Sequence, residues 1–306
     1  MQNELARTID YAGLKAQYDM QCKKVLAQKE ILSRILKGTM EEFQNMSLME
    51  IEACIEGKPE ISVIPVLPGE TNKGQIAGLP NEEGIVGEGT VFFDIRFAVY
   101  IPRLNEKQKI MINLEAQKDF DPGYEIVTRA IFYGSRLISA QYGTEFVNSD
   151  YDSVKKVYSI WICMNAPNYI GNTIANYSIQ KTEIFGHQPT QKEAYDKMSV
   201  VIVTLNEKTD AEELTGMLNT LLSSNIQPTV KKKILEEEYH IPMHNEMEKE
   251  VNVMCNLSDL VEEKGIEKGV ELMIKALLKN GKVSDADIAE AAEISMEQLE
   301  MLKKRL

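Results

Sequence analysis

The stretches VFFDIRFAVYI (residues 91–101) and KIMINLEAQ (residues 109–117) decide the reading of this chain. Both are rich in β-branched and aromatic residues, and the polar segment between them suits a turn, so they predict two strands of one hairpin. In the first, Val91, Phe93, Ile95, Phe97, Val99 and Ile101 share one face, which turns Asp94 and Arg96 to the other. In the second, Ile110, Ile112, Leu114 and Ala116 are apolar, leaving Asn113, Glu115 and Gln117 opposite. A hairpin with Leu104 and Asn105 at its tip sets Arg103 against Glu106 and, in the same register, Asp94 against Glu115.

Opposed residues of such a pair have Cβ atoms about 5 Å apart, a separation at which two carboxylates repel. A positive group is therefore expected between them. Arg96, or Arg129 from the following helix, would make an ordinary ion-pair cluster; a divalent cation would equally suit the hard carboxylate oxygens and a backbone carbonyl. Patterning leaves both open. Neutralising either acid is expected to relieve the repulsion and raise the stability of the metal-free protein.

Upstream, apolar residues at Val25, Leu26, Ile31, Leu32, Ile35, Leu36 and Met40 predict one long amphipathic helix over residues 18–43. Ser47 with Glu50 has the form of a capping box opening a short helix through Cys54, and ISVIPV (61–66) suits a strand. Residues 68–89, with six glycines and two prolines, read as a long loop or insertion. They lack the Lys-Ser/Thr ending of a phosphate-cradling loop.

Downstream, a helix over residues 125–142 precedes the buried strands KVYSIWICMN (156–165) and MSVVIVTL (198–205), with YSIQKTEIF (177–185) as a further strand. Asp210 with Glu213 suggests another capping box, with its helix running to about residue 224. The remainder reads as helix only. The expected class is thus α/β, or mixed α+β: a mixed sheet flanked by helices over residues 1–225, and a helical C-terminal region over 226–306.

The composition, 43% hydrophobic and 26% charged, is that of an ordinary globular chain. No apolar run is long enough to span a bilayer, and the N-terminus carries acids where a secretory signal would be apolar, so a cytoplasmic protein with no membrane partner is expected. Cys22, Cys54, Cys163 and Cys255 form no CxxC pair and read as buried small hydrophobes. His240 and His244 are four apart, but Pro242 between them opposes the helix a two-histidine site would need.

The net charge of −13 is awkward for a nucleic-acid binder. Its distribution is less so. Residues 90–165 hold nine basic and nine acidic side chains, whereas residues 206–306 hold thirteen basic and twenty-one acidic. The acidity belongs to the C-terminal third, where KKKILEEE is self-neutralising and acids outnumber bases in the last two helices, which favours helical packing or dimerisation there over a DNA-reading role.

A helix carrying Glu30, a strand with Asp94, a strand with Glu115-Ala116-Gln117 and a helix with Arg129-Ala-Ile-Phe-Tyr133 together resemble the PD-(D/E)xK nuclease superfamily. More narrowly, the chain resembles the Rpn-like family of recombination-promoting nucleases and transposase-like proteins, whose members commonly show E-x-Q. The likeness covers roughly residues 10–205, and the C-terminal GIEKGVELMIKALLKNGK is similar to the tail such proteins carry. It implies a restriction-endonuclease-like core. It also implies a metal-dependent DNA endonuclease, linked to recombination, mobile elements or defence, with Mg2+ as the first candidate cofactor and Mn2+ or Ca2+ as alternatives.

Carried over by position, Asp94 and Glu115 are the implied metal ligands, with the Ala116 carbonyl beside them. Glu30 is implied to reach in and orient water, making Glu30, Asp94, Glu115 and Gln117 the expected catalytic set. Arg96, Arg129 and Tyr133 are candidates for substrate contact or support. Gln117 departs from the superfamily's lysine: an amide is neither a cation nor an ordinary base, and Lys118 leaves the other side of the strand. DNA and a second copy of the chain are the expected partners. A non-catalytic interaction protein on a nuclease fold is the competing class, which Gln117 and the acidic balance both allow.

Overall fold

The computed structural model describes residues 4–57, 59–61, 82–85, 89–92, 94–102, 107–118, 120–292 and 294–303. The chain forms two compact units, one of Asp19–Met254 and one of Met1–Tyr18 with Cys255–Leu306. Among the described residues no helix is long and apolar enough to cross a membrane.

The larger unit begins within α1 (Glu4–Leu26) and continues through α2 (Lys29–Thr39), a 3-10 turn at Glu41–Phe43 and α3 (Leu48–Cys54). The Ser47–Glu50 capping box is formed: the Ser47 side chain accepts from the Glu50 N–H, and the Ser47 N–H donates to Glu50 Oε2 at 2.8 Å. Where one long helix was expected, the chain breaks at Ala27 and Gln28, and Gln28 is extended (φ −66°, ψ 135°). The apolar spacing explains the break. Val25 and Leu26 precede Ile31 and Leu32 by six residues, which at about 100° per residue puts the pairs on different faces of an unbroken helix. With the break, all four side chains are fully buried.

Next come β1 (Glu60–Ile61), β2 (Glu82–Ile85), β3 (Gly89–Phe92), β4 (Ile95–Pro102) and β5 (Lys107–Gln117). The expected strand over 61–66 is described only at Ile61, and the expected hairpin tip at Leu104 and Asn105 lies outside the described residues. Part of the expected loop at 68–89 is strand, because β2 pairs antiparallel with β3 as a separate hairpin. The run at 91–101 is accordingly divided between β3 and β4, with Asp94 in a bend just before β4.

The sheet is completed through α4 (Ile126–Ser139), β6 (Lys156–Cys163), β7 (Thr173–Ser178), α5 (Lys192–Tyr195) and β8 (Met198–Thr204). It has six strands in the order β1-β4-β5-β6-β8-β7. Neighbours β5, β6 and β8 are parallel, and the remaining pairings are antiparallel. The central strand β6 is buried at every residue, as a largely apolar run is when both faces are covered; its two polar exceptions, Lys156 and Ser159, are paired with Glu42, Asp196 and Trp161. On one face α4 packs Ala130, Tyr133 and Leu137 against Met111, Val157, Trp161 and Val200. The other face carries Ile95, Phe97, Val99, Ile110, Ile112 and Leu114, all buried, with α3 against β4 and α2 against α3. Strand β7 stops at Ser178, so the strand expected over 177–185 is mostly a loop, closed by hydrogen bonds that tie Lys181 and Glu183 to Gln188, whose Ile184 and Phe185 are almost fully exposed.

Helix α6 (Glu213–Leu222) is capped by Glu212 with Thr215, two residues beyond the expected Asp210–Glu213 box. Helix α7 (Pro228–Glu237) lies in the larger unit, so the expected boundary near residue 226 falls inside that unit. Buried Lys231 ties it there, donating to the Leu221 and Ser223 carbonyls at 3.0 and 2.7 Å.

Helix α8 (Asn245–Asn280) begins in the larger unit and ends in the smaller, which also holds α9 (Asp285–Ala291) and α10 (Met296–Lys303). Ile274, Ile288, Ala289 and Leu299 form the smaller unit's core.

Candidate active site at the head of the β4–β5 pair

The register of β4 and β5 pairs Ile95 with Leu114 and Arg96 with Asn113. One step beyond, Asp94 meets Glu115, and each accepts a backbone hydrogen bond from the other's strand. The Asp94 N–H donates to Glu115 Oε1 at 3.0 Å, and the Ala116 N–H donates to Asp94 Oδ2 at 3.1 Å. These bonds lie just beyond the last ladder pair, where Asp94 forms a bend before β4. They also fix both carboxyl groups at short range without letting either swing away.

The cation bonded to this pair is neither Arg96 nor Arg129, the two expected from the pattern. Lys23 of α1 places Nζ 2.8 Å from Asp94 Oδ1 and 2.6 Å from Asp19 Oδ2. Its side chain is only 7% exposed. Burial alone would lower the ammonium's pKa, but attraction to Asp94 and Asp19 outweighs it and holds Lys23 above the ordinary range. Burial raises Asp19, an effect the lysine only partly offsets. Glu115 is 4% exposed; burial first and repulsion by Asp94 second push its pKa well above the usual carboxylate range. The Asp94 N–H and the more distant charges of Lys23 and Arg129 oppose that rise without cancelling it.

Around the pair stands an aromatic wall. Trp161 of β6 is the register partner of Glu115 and donates its Nε1–H to Ser159 Oγ at 2.9 Å. The Arg129 guanidinium of α4 lies 5.2 Å from the Trp161 ring, 5.1 Å from Tyr133 and 5.6 Å from Tyr124. It donates to the Tyr133 hydroxyl at 2.8 Å and also to that of Tyr124. Gln117 lies two residues beyond Glu115 on the same face of β5. Arg96 is buried opposite Asn113, two pairs further down the ladder from the carboxylates.

Glu30 is placed elsewhere. The break before α2 puts it in that helix's first turn, with Oε1 3.3 Å from His244 Nε2. The site's helical contribution comes instead from Asp19 and Lys23, which sequence reasoning passed over. Their signal was an Asp-x-x-x-Lys pair one helical turn apart, in a chain whose E-x-Q motif carries Gln117 at the superfamily's lysine position.

The donor chemistry fits a hard divalent cation. Mg2+ is commonly held by one or two carboxylates with water completing the shell, and Asp94, Glu115 and the Ala116 carbonyl offer that kind of oxygen. Among the described residues no group of three or more His, Cys, Asp or Glu is assembled for a metal, so water would have to supply much of the shell of any cation held there. Compared with protein-family models, with curated proteins and with solved structures, the chain matches none of them.

Proposed function

We propose that this chain is a metal-dependent DNA endonuclease of the PD-(D/E)xK type on a restriction-endonuclease-like core. The observation that carries the reading is the reciprocal bonding of Asp94 and Glu115 at the head of the β4–β5 pair. Lys23 is bonded to Asp94, but Glu115 stays buried beside a second carboxylate with no cation bonded to it among the described residues, and its ionised form is disfavoured. Such an arrangement is favoured where it binds something positive.

Asp94, Glu115 and the Ala116 carbonyl would hold a divalent cation, which supplies a lowered pKa for water and neutralises charge developing on the phosphate. Gln117 adds an amide that donates or accepts a hydrogen bond beside the attacked group. Arg129, stacked on Tyr133 and Trp161, is oriented by its hydroxyl partners and stands near enough to Glu115 to add positive potential. Burial of Glu115 and the aromatic wall lower the local dielectric and strengthen each of these interactions.

The test is nicking of supercoiled plasmid by the purified full chain in Mg2+ or Mn2+ and in chelator, with Asp94→Asn as control. Metal-dependent nicking lost in the variant is the expected result. A folded protein that cuts no DNA form in either metal overturns the reading. One observation favours the second class, an interaction protein on this fold: Lys23 already neutralises Asp94 without a metal.

A further inference from the structure

The Glu115-Ala116-Gln117 segment carries no lysine, yet a lysine stands at the site. Lys23 comes from α1, a different element, and reaches the carboxylate pair from the side of Asp94. Two of its three N–H groups are used by Asp19 and Asp94, and the third has no acceptor among the described residues. An ammonium this deeply placed, with a donor to spare, is suited to an anionic oxygen arriving at the same spot.

Its position also creates a conflict. Asp94 Oδ1, the oxygen Lys23 holds, is one that a divalent cation on Asp94 and Glu115 would need. Two positive charges a few ångströms apart in a partly buried site repel each other, so the two cations compete for Asp94. Lys23 is not lost when it leaves Asp94, because Asp19, four residues before it on the same helix, keeps a second anchor at 2.6 Å.

We propose, building on the nuclease reading, that Lys23 is an exchangeable internal cation. It occupies Asp94 in the metal-free protein, yields that carboxylate to a divalent cation, and turns on its Asp19 anchor to donate to the substrate phosphate. It thereby takes the part that Gln117 cannot play.

The experiment titrates Mn2+ calorimetrically into the EDTA-stripped full chain, without DNA, for the wild type, Lys23→Met, Lys23→Gln and Lys23→Arg. Removing the competing charge is expected to tighten Mn2+ binding about tenfold in Lys23→Met and Lys23→Gln, and to leave Lys23→Arg near the wild type. Cleavage is expected to move the other way, falling roughly 100-fold in Lys23→Met and returning in part when Gln117→Lys is added. Lys23→Gln keeps a donor for Asp94 and serves if Lys23→Met does not fold. For the wild type itself, saturating Mg2+ is expected to increase labelling of Lys23 by an amine-acylating reagent, read by mass spectrometry.

Mn2+ binding that is unchanged or weaker in the folded neutral variants overturns the proposal, as does unchanged Lys23 labelling on Mg2+ saturation. A wild type that binds Mn2+ and shows the expected order of affinities, but cuts no plasmid, overturns the nuclease reading and leaves the exchange of Lys23 standing.

Discussion

Lys23 Nζ lies 2.8 Å from Asp94 Oδ1, so the first strand's acid is paired with a helix that precedes it by some seventy residues of chain. The two acids of the site are therefore not equivalent. Asp94 has a cation and a backbone N–H; Glu115 has a backbone N–H and a carboxylate neighbour.

That asymmetry separates two substitutions which the pattern alone treats alike. Asp94→Asn is expected to destabilise the metal-free protein by about 1.5–3 kcal/mol, because Lys23 loses a charged hydrogen-bond partner and keeps only Asp19. Glu115→Gln is expected to leave stability at neutral pH equal or higher. Both should abolish cleavage. Melting temperatures in chelator, set beside plasmid nicking in Mn2+, check this, and a stabilising Asp94→Asn would contradict the pairing with Lys23.

The contribution of Glu115 to the stability of the metal-free protein should fall as pH rises across its titration. Glu115 has a folded pKa above its unfolded one, so the folded state holds this proton more tightly. Its contribution is fully present below the unfolded carboxylate range of about 4.3 and is lost as pH rises toward the folded value, by at most about 1.4 kcal/mol per pH unit. Subtracting the profile of Glu115→Gln from that of the wild type, both in chelator, isolates the term. A difference that grows in the wild type's favour with rising pH would refute the direction.

Gln117→Lys in the otherwise native chain adds a second ammonium near Asp94 and Glu115. Cleavage is expected to persist at a changed rate, with metal binding weakened by the added charge. Rates measured over a range of Mn2+ concentration distinguish a shift in metal requirement from a loss of chemistry. Complete inactivity at saturating Mn2+ would show that the amide itself is needed.

Arg129→Ala removes a guanidinium that sits over Trp161 and Tyr133. The expected stability cost is about 1–2 kcal/mol, from lost cation–aromatic contact. If the same group meets the phosphate backbone, the salt dependence of DNA binding should also weaken by about one charge. Binding to uncleavable DNA at several salt concentrations, compared with thermal melts, separates the packing role from the phosphate role.

A chain ending at residue 226 should lose cooperative unfolding, because it removes α7 with its buried Leu235 and the Lys231 bonds to the end of α6. A chain ending at residue 254 should keep it, since that is where the larger unit closes. Circular dichroism melts of the two shortened chains decide between these boundaries.

The sequence by itself determined the parts whose physics is local. Alternation in residues 91–101 and 109–117 set the faces of β4 and β5, and the register counted from the expected tip agrees with the observed pairing of Ile95 with Leu114. Every residue pair of a ladder follows once one pair is fixed, so the meeting of Asp94 with Glu115 was legible. The Ser47–Glu50 cap and the buried run of β6 were legible for the same reason.

Only the tertiary structure decided which charges meet that pair. Glu30 and Lys23 both lie in stretches of helical pattern, and nothing local distinguishes them. The break at Ala27 and Gln28, required to bury Leu26 and Ile31 together, turns Glu30 toward His244, while Lys23 reaches Asp94. A side chain's partner across seventy residues depends on how elements pack, and a helical period read along one segment carries no information about that.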